Sequence, residues 1–231
     1  MRYRRLLIAL VGVALVALVG LAVVAVPTIV RASRLVAQLD GAGALTFMPT
    51  ALPGSRICAL LAVQDPTFYR HQGIGLLEGP LGHTTVTQAV CKRLFFNEFS
   101  PGLLHIGKVK LMIIAWAFDR RIPKDTQLRL FLNLAYFGTL DGKEIHGFPA
   151  AATSLFGKDL QSLSEQEYLA LVAMLRAPNT YHVLRNPQAN ATRVRDIRKL
   201  LERACAPECI RNEHYAPCVA KVPLPREGPA A

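Results

Sequence analysis

From Leu6 to Val26 the chain carries no polar side chain, a run of about 21 residues of Leu, Ile, Val, Ala and Gly. As an α-helix it is roughly 31 Å long at 1.5 Å per residue, which matches a hydrocarbon core of roughly 30 Å. Arg2, Arg4 and Arg5 precede the run and only Arg31 and Arg34 follow it closely. This bias predicts a cytoplasmic N-terminus and an exported body. A cleaved signal peptide is the alternative, because Ala22-Val23-Val24-Ala25 supplies small residues. The run exceeds the usual apolar region of such peptides, roughly 7 to 15 residues, and a retained anchor is favoured. Arg31 to Gly54 mixes charge, Gly and Pro and reads as a juxtamembrane linker.

Beyond the linker the pattern is helical. Thr85-x-x-Gln88 has the form of a capping box opening a helix through Phe96, and Ser164-x-x-Glu167 opens another that Pro178 stops. Pro149 and Pro187 stand where first helical residues belong, the latter after Asn186 as a cap. Leu128, Phe131, Leu132 and Ala135 recur at the spacing of one buried helix face. Ile106 to Phe118 is apolar nearly all round, which predicts a helix through the middle of the fold. No run alternates as a strand does, and no internal repeat is present. The fold class expected is all-α, preceded by one transmembrane helix. The divisions expected are residues 1–33 for stub and anchor, 34–205 for the folded domain and 206–231 for a Cys- and Pro-containing tail.

Composition narrows the partners. Lys plus Arg number 27 against 16 Asp plus Glu, a net charge of +11 in 231 residues, which favours anionic partners. Export leaves anionic lipid and lipid-linked phosphate, and makes nucleic acid an unexpected partner. Of the five cysteines, Cys58 and Cys91 fall in apolar helical patterns and read as small core residues. Cys205, Cys209 and Cys218 crowd the tail, where a disulfide is favoured; Cys205, Cys209, His214 and Cys218 as zinc ligands is the other reading, with a spacing unlike common fingers. Arg193, Arg195, Arg198, Lys199 and Arg203 form a basic helix that suits either anionic headgroups or a solvated face.

Candidate chemistry lies in two stretches, Gln64-Asp65-Pro66-Thr67-Phe68-Tyr69-Arg70-His71-Gln72-Gly73 and Gly82-His83-Thr84-Thr85-Val86-Thr87-Gln88-Ala89 with Lys92. These resemble the first two signatures of the peptidoglycan glycosyltransferases of glycosyltransferase family 51, which read Glu-Asp-x-x-Phe-x-x-His-x-Gly and Gly-Gly-Ser-Thr-Ile-Thr-Gln-Gln followed by a lysine. A third signature, Arg-Lys with a glutamate three residues after the lysine, appears as Gly107-Lys108-Val109-Lys110-Leu111. Phe131-Leu132-Asn133 through Phe137-Gly138, and Leu163 through Ala173, are similar to the fourth and fifth. The resemblance covers roughly Ala51 to Leu201 and is nearest the short, monofunctional, membrane-anchored kind.

What the resemblance implies is a lysozyme-like fold that polymerises lipid II outside the bacterial cytoplasmic membrane. The first-signature glutamate is the base that takes a proton from the acceptor sugar hydroxyl. Basic residues, with a divalent cation such as Mg, meet the pyrophosphate leaving group. Here the base position holds Gln64 and the second carboxylate position holds Leu111. An amide offers an oxygen and two N–H donors and has no protonation equilibrium near neutral pH. It can hold a hydroxyl but cannot take its proton, and positioned general-base catalysis contributes about 10² to 10⁴ in rate. Three replacement bases stand nearby in sequence: Asp65, directed about 100° away on a helix, His83 at a family glycine position, and Glu78. Thr84, Thr85, Gln88, Lys92, Lys108 and Asn133 are the candidate substrate-binding residues, with helix capping by Thr85 and Gln88 as the plain alternative. His71 is expected to hydrogen-bond within the fold, with no set of metal ligands around it.

The expected function is a membrane-anchored protein that engages lipid II or nascent glycan in cell-wall biogenesis with polymerase activity lost or strongly reduced. Its partners are the inner membrane and other wall-synthesis proteins. Two alternatives stand beside it: an active polymerase with a relocated base, and a non-enzymatic interaction protein.

Overall fold

The computed structural model describes residues 2–75, 84–96 and 106–204. Eight α-helices appear among them: α1 (Arg2–Gly41), α2 (Gly54–Gln64), α3 (Val86–Phe95), α4 (Ile106–Asp119), α5 (Lys124–Leu134), α6 (Phe148–Phe156), α7 (Glu165–Met174) and α8 (Pro187–Ala204). Short 3-10 turns lie at Pro49–Ala51 and Leu160–Ser162. Among these helices α1 alone is long and apolar enough to cross a membrane. Its outer surface from Leu6 to Val23 is exposed along most of its length.

The linker expected from Arg31 to Gly54 is shorter, because α1 runs on to Gly41. Arg31 and Arg34 mask the helical repeat beneath them: Ala32 is fully buried, and Val36 and Leu39, four and seven residues on, pack against the core. The helix ends in a Schellman turn. Ala44 N–H donates to the Leu39 carbonyl at 2.9 Å and Gly43 N–H to that of Asp40 at 3.0 Å, with Gly43 left-handed at φ 67°.

One pair of strands was not expected. β1 (Tyr136–Leu140) and β2 (Lys143–His146) pair antiparallel, Leu140 facing Lys143 and Thr139 facing Glu144, with an irregularity between Tyr136 and Thr139. The signal was the turn rather than the strands: Asp141 and Gly142 both take positive φ, 49° and 75°, as a two-residue hairpin loop requires. A bulged ribbon this short leaves too few alternating positions to read.

The helix through the centre is α7, in which every residue from Tyr168 to Met174 is buried. α4, expected there, buries Leu111, Ile114, Ala115, Ala117 and Phe118, but Ile106 is 65% exposed and Val109 53%. Its apolar perimeter is explained by two partners, α1 on one side and α3 on another. Around α7 the aromatic rings of Phe137, Phe148 and Tyr168 pack in series, Phe137 edge-on to Phe148 at 4.9 Å between centroids. Cys58 and Cys91 are buried, and burial pushes the Cys91 thiol pKa up. Cys205, Cys209, His214 and Cys218 lie outside the described residues.

Both capping boxes form as the sequence predicts, at Thr85/Gln88 and Ser164/Glu167. The Glu167 carboxylate accepts from Lys158 at 2.6 Å and from Ser164 N–H at 2.7 Å, and these bonds, Lys158 first, lower its pKa from 4.5 to about 2. A depressed carboxylate pKa contributes stability that is present above about pH 4.5 and lost as pH falls through about 2. Glu167→Gln should therefore flatten the acid limb of thermal stability in that window and leave the neutral-pH cap partly intact. Ser164→Ala should cost about 1 kcal/mol at neutral pH in urea unfolding.

Candidate functional site

The end of α2 and the start of α3 are joined by one carboxylate. Asp65 is followed by Pro66, which disfavours helical backbone at the residue before it, so α2 stops at Gln64. The chain then turns through Thr67 and Phe68, whose ring is fully buried, to His71 and Gly73. Asp65 is 4% exposed. Its Oδ2 accepts from Val86 N–H at 2.9 Å, the first residue of α3, where a negative charge also complements the helix dipole. His71 Nε2 lies 2.9 and 3.1 Å from the two oxygens, while His71 Nδ1 accepts from Gly73 N–H at 3.0 Å. An accepting Nδ1 puts the proton on Nε2, so a neutral imidazole donates to an ionised Asp65.

Gly73 continues the chain of contacts. Its carbonyl accepts from Thr85 Oγ1 at 2.9 Å, and Thr85 Oγ1 in turn accepts from Gln88 N–H at 3.1 Å. Gly73 has φ 79° and sits so near α4 that an added Cβ would stand 2.4 Å from the Ala115 carbonyl oxygen. Only glycine fits there. Beneath α3, Thr87 Oγ1 donates to Gln127 Oε1 at 2.6 Å, and Gln127 Nε2 donates to Asp119 and to the Ile122 carbonyl. Both N–H donors and the oxygen of this fully buried amide are engaged.

On this scaffold the structure brings three of the expected residues together. Gln64 Nε2 points to the Thr84 carbonyl at 3.4 Å, and Lys92 Nζ donates to Thr84 Oγ1 at 3.2 Å; all three side chains are half-buried. Lys108, on α4, is close enough to Lys92 to act on its charge. Burial first and Lys108 second lower the Lys92 pKa, and a negative charge placed there would oppose that lowering. Asp65, Thr85 and Gln88 lie beneath this face, each about 5% exposed or less and committed to the scaffold. Asn133 lies elsewhere, on α5, with its amide closed on the backbone of Phe47. His83 and Glu78 fall outside the described residues. Leu111 is buried in the core at 2% exposure.

For a divalent cation the described donors do not fit. No group of three His, Cys, Asp or Glu side chains comes together among the described residues. Asp65, a carboxylate beneath this face, already serves His71 and Val86.

Residues 36–202 match the family model described as Transglycosylase. The chain belongs to that family, the peptidoglycan glycosyltransferases of glycosyltransferase family 51. Its helical body is the family's lysozyme-like domain, and the match extends from within α1 to the end of α8. Among relatives of this transglycosylase-family chain, penicillin-binding protein 1B of Escherichia coli is 30% identical over 170 residues, covering 68% of this chain and 20% of the relative. Penicillin-binding protein 1B of Buchnera aphidicola is 32% identical over 155 residues, 61% of this chain and 20% of the relative. A Cupriavidus necator protein provisionally named a transglycosylase is 26% identical over 192 residues, 75% of this chain and 80% of the relative. The chain thus spans about a fifth of the length of the penicillin-binding proteins it matches.

Two roles were beyond the reach of spacing alone. The approach of Gly73 to Ala115 joins positions far apart in the chain, and Gln127 is an ordinary polar residue on a helix until Thr87 and Asp119 converge on it. Asp65→Asn keeps an acceptor for Val86 N–H but loses one for His71, and should cost about 2 kcal/mol. Asp65→Ala, which leaves the whole cluster unpaired, should cost about 3 kcal/mol or more in urea unfolding.

Proposed function

We propose that this chain is a membrane-anchored member of its family that engages lipid II or nascent glycan in cell-wall biogenesis, with polymerase activity lost or strongly reduced. One observation carries the reading: an uncharged amide, Gln64, stands on a hydrogen-bonded scaffold at the position where the family resemblance expects the base. Its N–H donates toward the Thr84 carbonyl, which leaves the amide oxygen to accept a hydrogen bond from a sugar hydroxyl. An amide oxygen can orient that hydroxyl but does not take the proton away as the oxygen attacks the anomeric carbon. Asp65 is no substitute, since His71 and Val86 N–H occupy its oxygens.

The binding side of the reading rests on Lys92, Thr84 and Lys108, cationic and hydroxyl groups suited to a lipid pyrophosphate. The anchor rests on α1 and on the arginines before it. It supports a division into stub and anchor (1–33), family domain (34–205) and tail (206–231), placed on the inner membrane with the domain outside and other wall-synthesis proteins as partners.

The test compares lipid II polymerisation by the wild-type chain and Gln64→Glu in the same reconstitution. A carboxylate at position 64 supplies the proton acceptor that the amide lacks. The variant should exceed the wild type by about 10² or more, with lipid II affinity changed by less than about threefold. Leu111→Glu should not add to this gain, because it forces a charge into the core and destabilises the fold by several kcal/mol. Robust synthesis by the wild type, abolished in His83→Ala or Glu78→Ala, would establish the relocated base instead. Absence of lipid II binding would leave the non-enzymatic interaction protein.

A further inference from the structure

α5 holds two things at once. Gln127 faces the α3–α4 scaffold, whereas Arg129 and Asn133 face the strap that follows the anchor. Arg129 donates to Asp40 Oδ1 at 2.7 Å, near the end of α1, and also to the Leu45 carbonyl, so it brackets the Schellman turn from both sides. Asn133 Oδ1 accepts from Phe47 N–H at 3.0 Å while Nδ2 donates to the Phe47 carbonyl at 2.8 Å. That two-point pairing satisfies a backbone unit as a neighbouring strand would. The remaining N–H of Asn133 returns to the Arg129 carbonyl at 2.8 Å. The side chains of Leu45 and Phe47 are buried, at 1% and 8% exposure. On its other side the Asn133 backbone is pressed by Gly147, where a Cβ would stand 2.5 Å from the Asn133 carbonyl oxygen.

A tether that only had to hold a domain near a membrane would need none of this; flexible, polar residues suffice for that. Here α1 is fixed twice, laterally by burial of Ala25, Thr28 and Ala32 where it packs on α4, and at its end by α5. Two separated attachments remove the swing that one would leave. We propose that Arg129 and Asn133 are positioning residues that latch the anchor to the helical body. By this latch the Gln64–Thr84–Lys92 face is held at a set height and tilt for a ligand whose pyrophosphate sits at the membrane surface. The inference rests on the proposed anchor and lipid-linked ligand, and it gives Asn133 work other than touching substrate.

The experiment uses the full chain, Arg129→Ala, Asn133→Ala and the milder Arg129→Lys, in lipid nanodiscs and in detergent, with lipid II as the probe. In nanodiscs, where height matters, Arg129→Ala and Asn133→Ala should bind about tenfold more weakly; in detergent, where lipid II tumbles with its micelle, they should stay within about twofold of the wild type. Arg129→Lys keeps the ion pair with Asp40 and should fall between. Equal losses in both media, or none in either, would overturn the latch. A ligand-free arm separates this from failure of the functional reading. Spin labels at positions 23 and 199 should give a narrow distance distribution in the wild type in nanodiscs and a broad one in the two alanine variants. A distribution equally broad in the wild type, or equally narrow in both variants, would also overturn it, whatever lipid II does. Wild-type chain that fails to bind lipid II in detergent, yet shows the narrow distribution and its broadening, would refute the ligand and keep the latch.

Discussion

The buried carboxylate of Asp65 is the constraint on which the site depends. It accepts from the first N–H of α3 and fixes the tautomer of His71, whose ring holds Gly73 N–H while the Gly73 carbonyl holds Thr85. A desolvated carboxylate is tolerated only when charge-assisted hydrogen bonds replace its water, and here two donors do so, His71 Nε2–H shared between the two oxygens and Val86 N–H. The same bonds that make it stable take it out of use as a base. Much of what looks like catalytic signature, namely Asp65, Phe68, His71, Gly73, Thr85 and Gln88, is therefore the frame that holds Gln64, Thr84 and Lys92 in register.

This division explains how a chain can keep a family's signatures around a position where the resemblance expects glutamate and this sequence has Gln64. Loss of a polar frame member such as Asp65 or Thr85 leaves buried hydrogen-bonding groups unpaired and destabilises the region. Exchange of glutamate for glutamine at position 64, half-buried at a helix end and with a carbonyl ready to accept its N–H, is isosteric and adds a hydrogen bond. The fold accommodates an amide at position 64 with its N–H directed to a carbonyl.

The sequence carried the frame better than the path of α1. Thr85/Gln88 and Ser164/Glu167 are local interactions, written within one turn, and both boxes form as read. The apolar run of α1 and the helical character of the body are likewise local. What was illegible depends on residues brought together from afar. α4 and α7 are both apolar, and only the packing of α1 on α4 shows that α7 occupies the centre. Asn133 sits in a signature segment and invited a substrate role, but its partner is Phe47, 86 residues away in sequence. The hairpin was hidden because a bulge breaks alternation, although Asp141-Gly142 marked its turn.

The central claim is that position 64 lacks a titratable base while the hydrogen-bonded frame described around it persists. The pH dependence of single-turnover glycosyl transfer from lipid II tests it most directly. Gln64→Glu should show a rate that rises with pH along an acid limb set by the new carboxylate, and the wild type should stay at background across the range. A wild-type rate well above background with its own acid limb near the histidine range, about pH 6.5, would contradict the account.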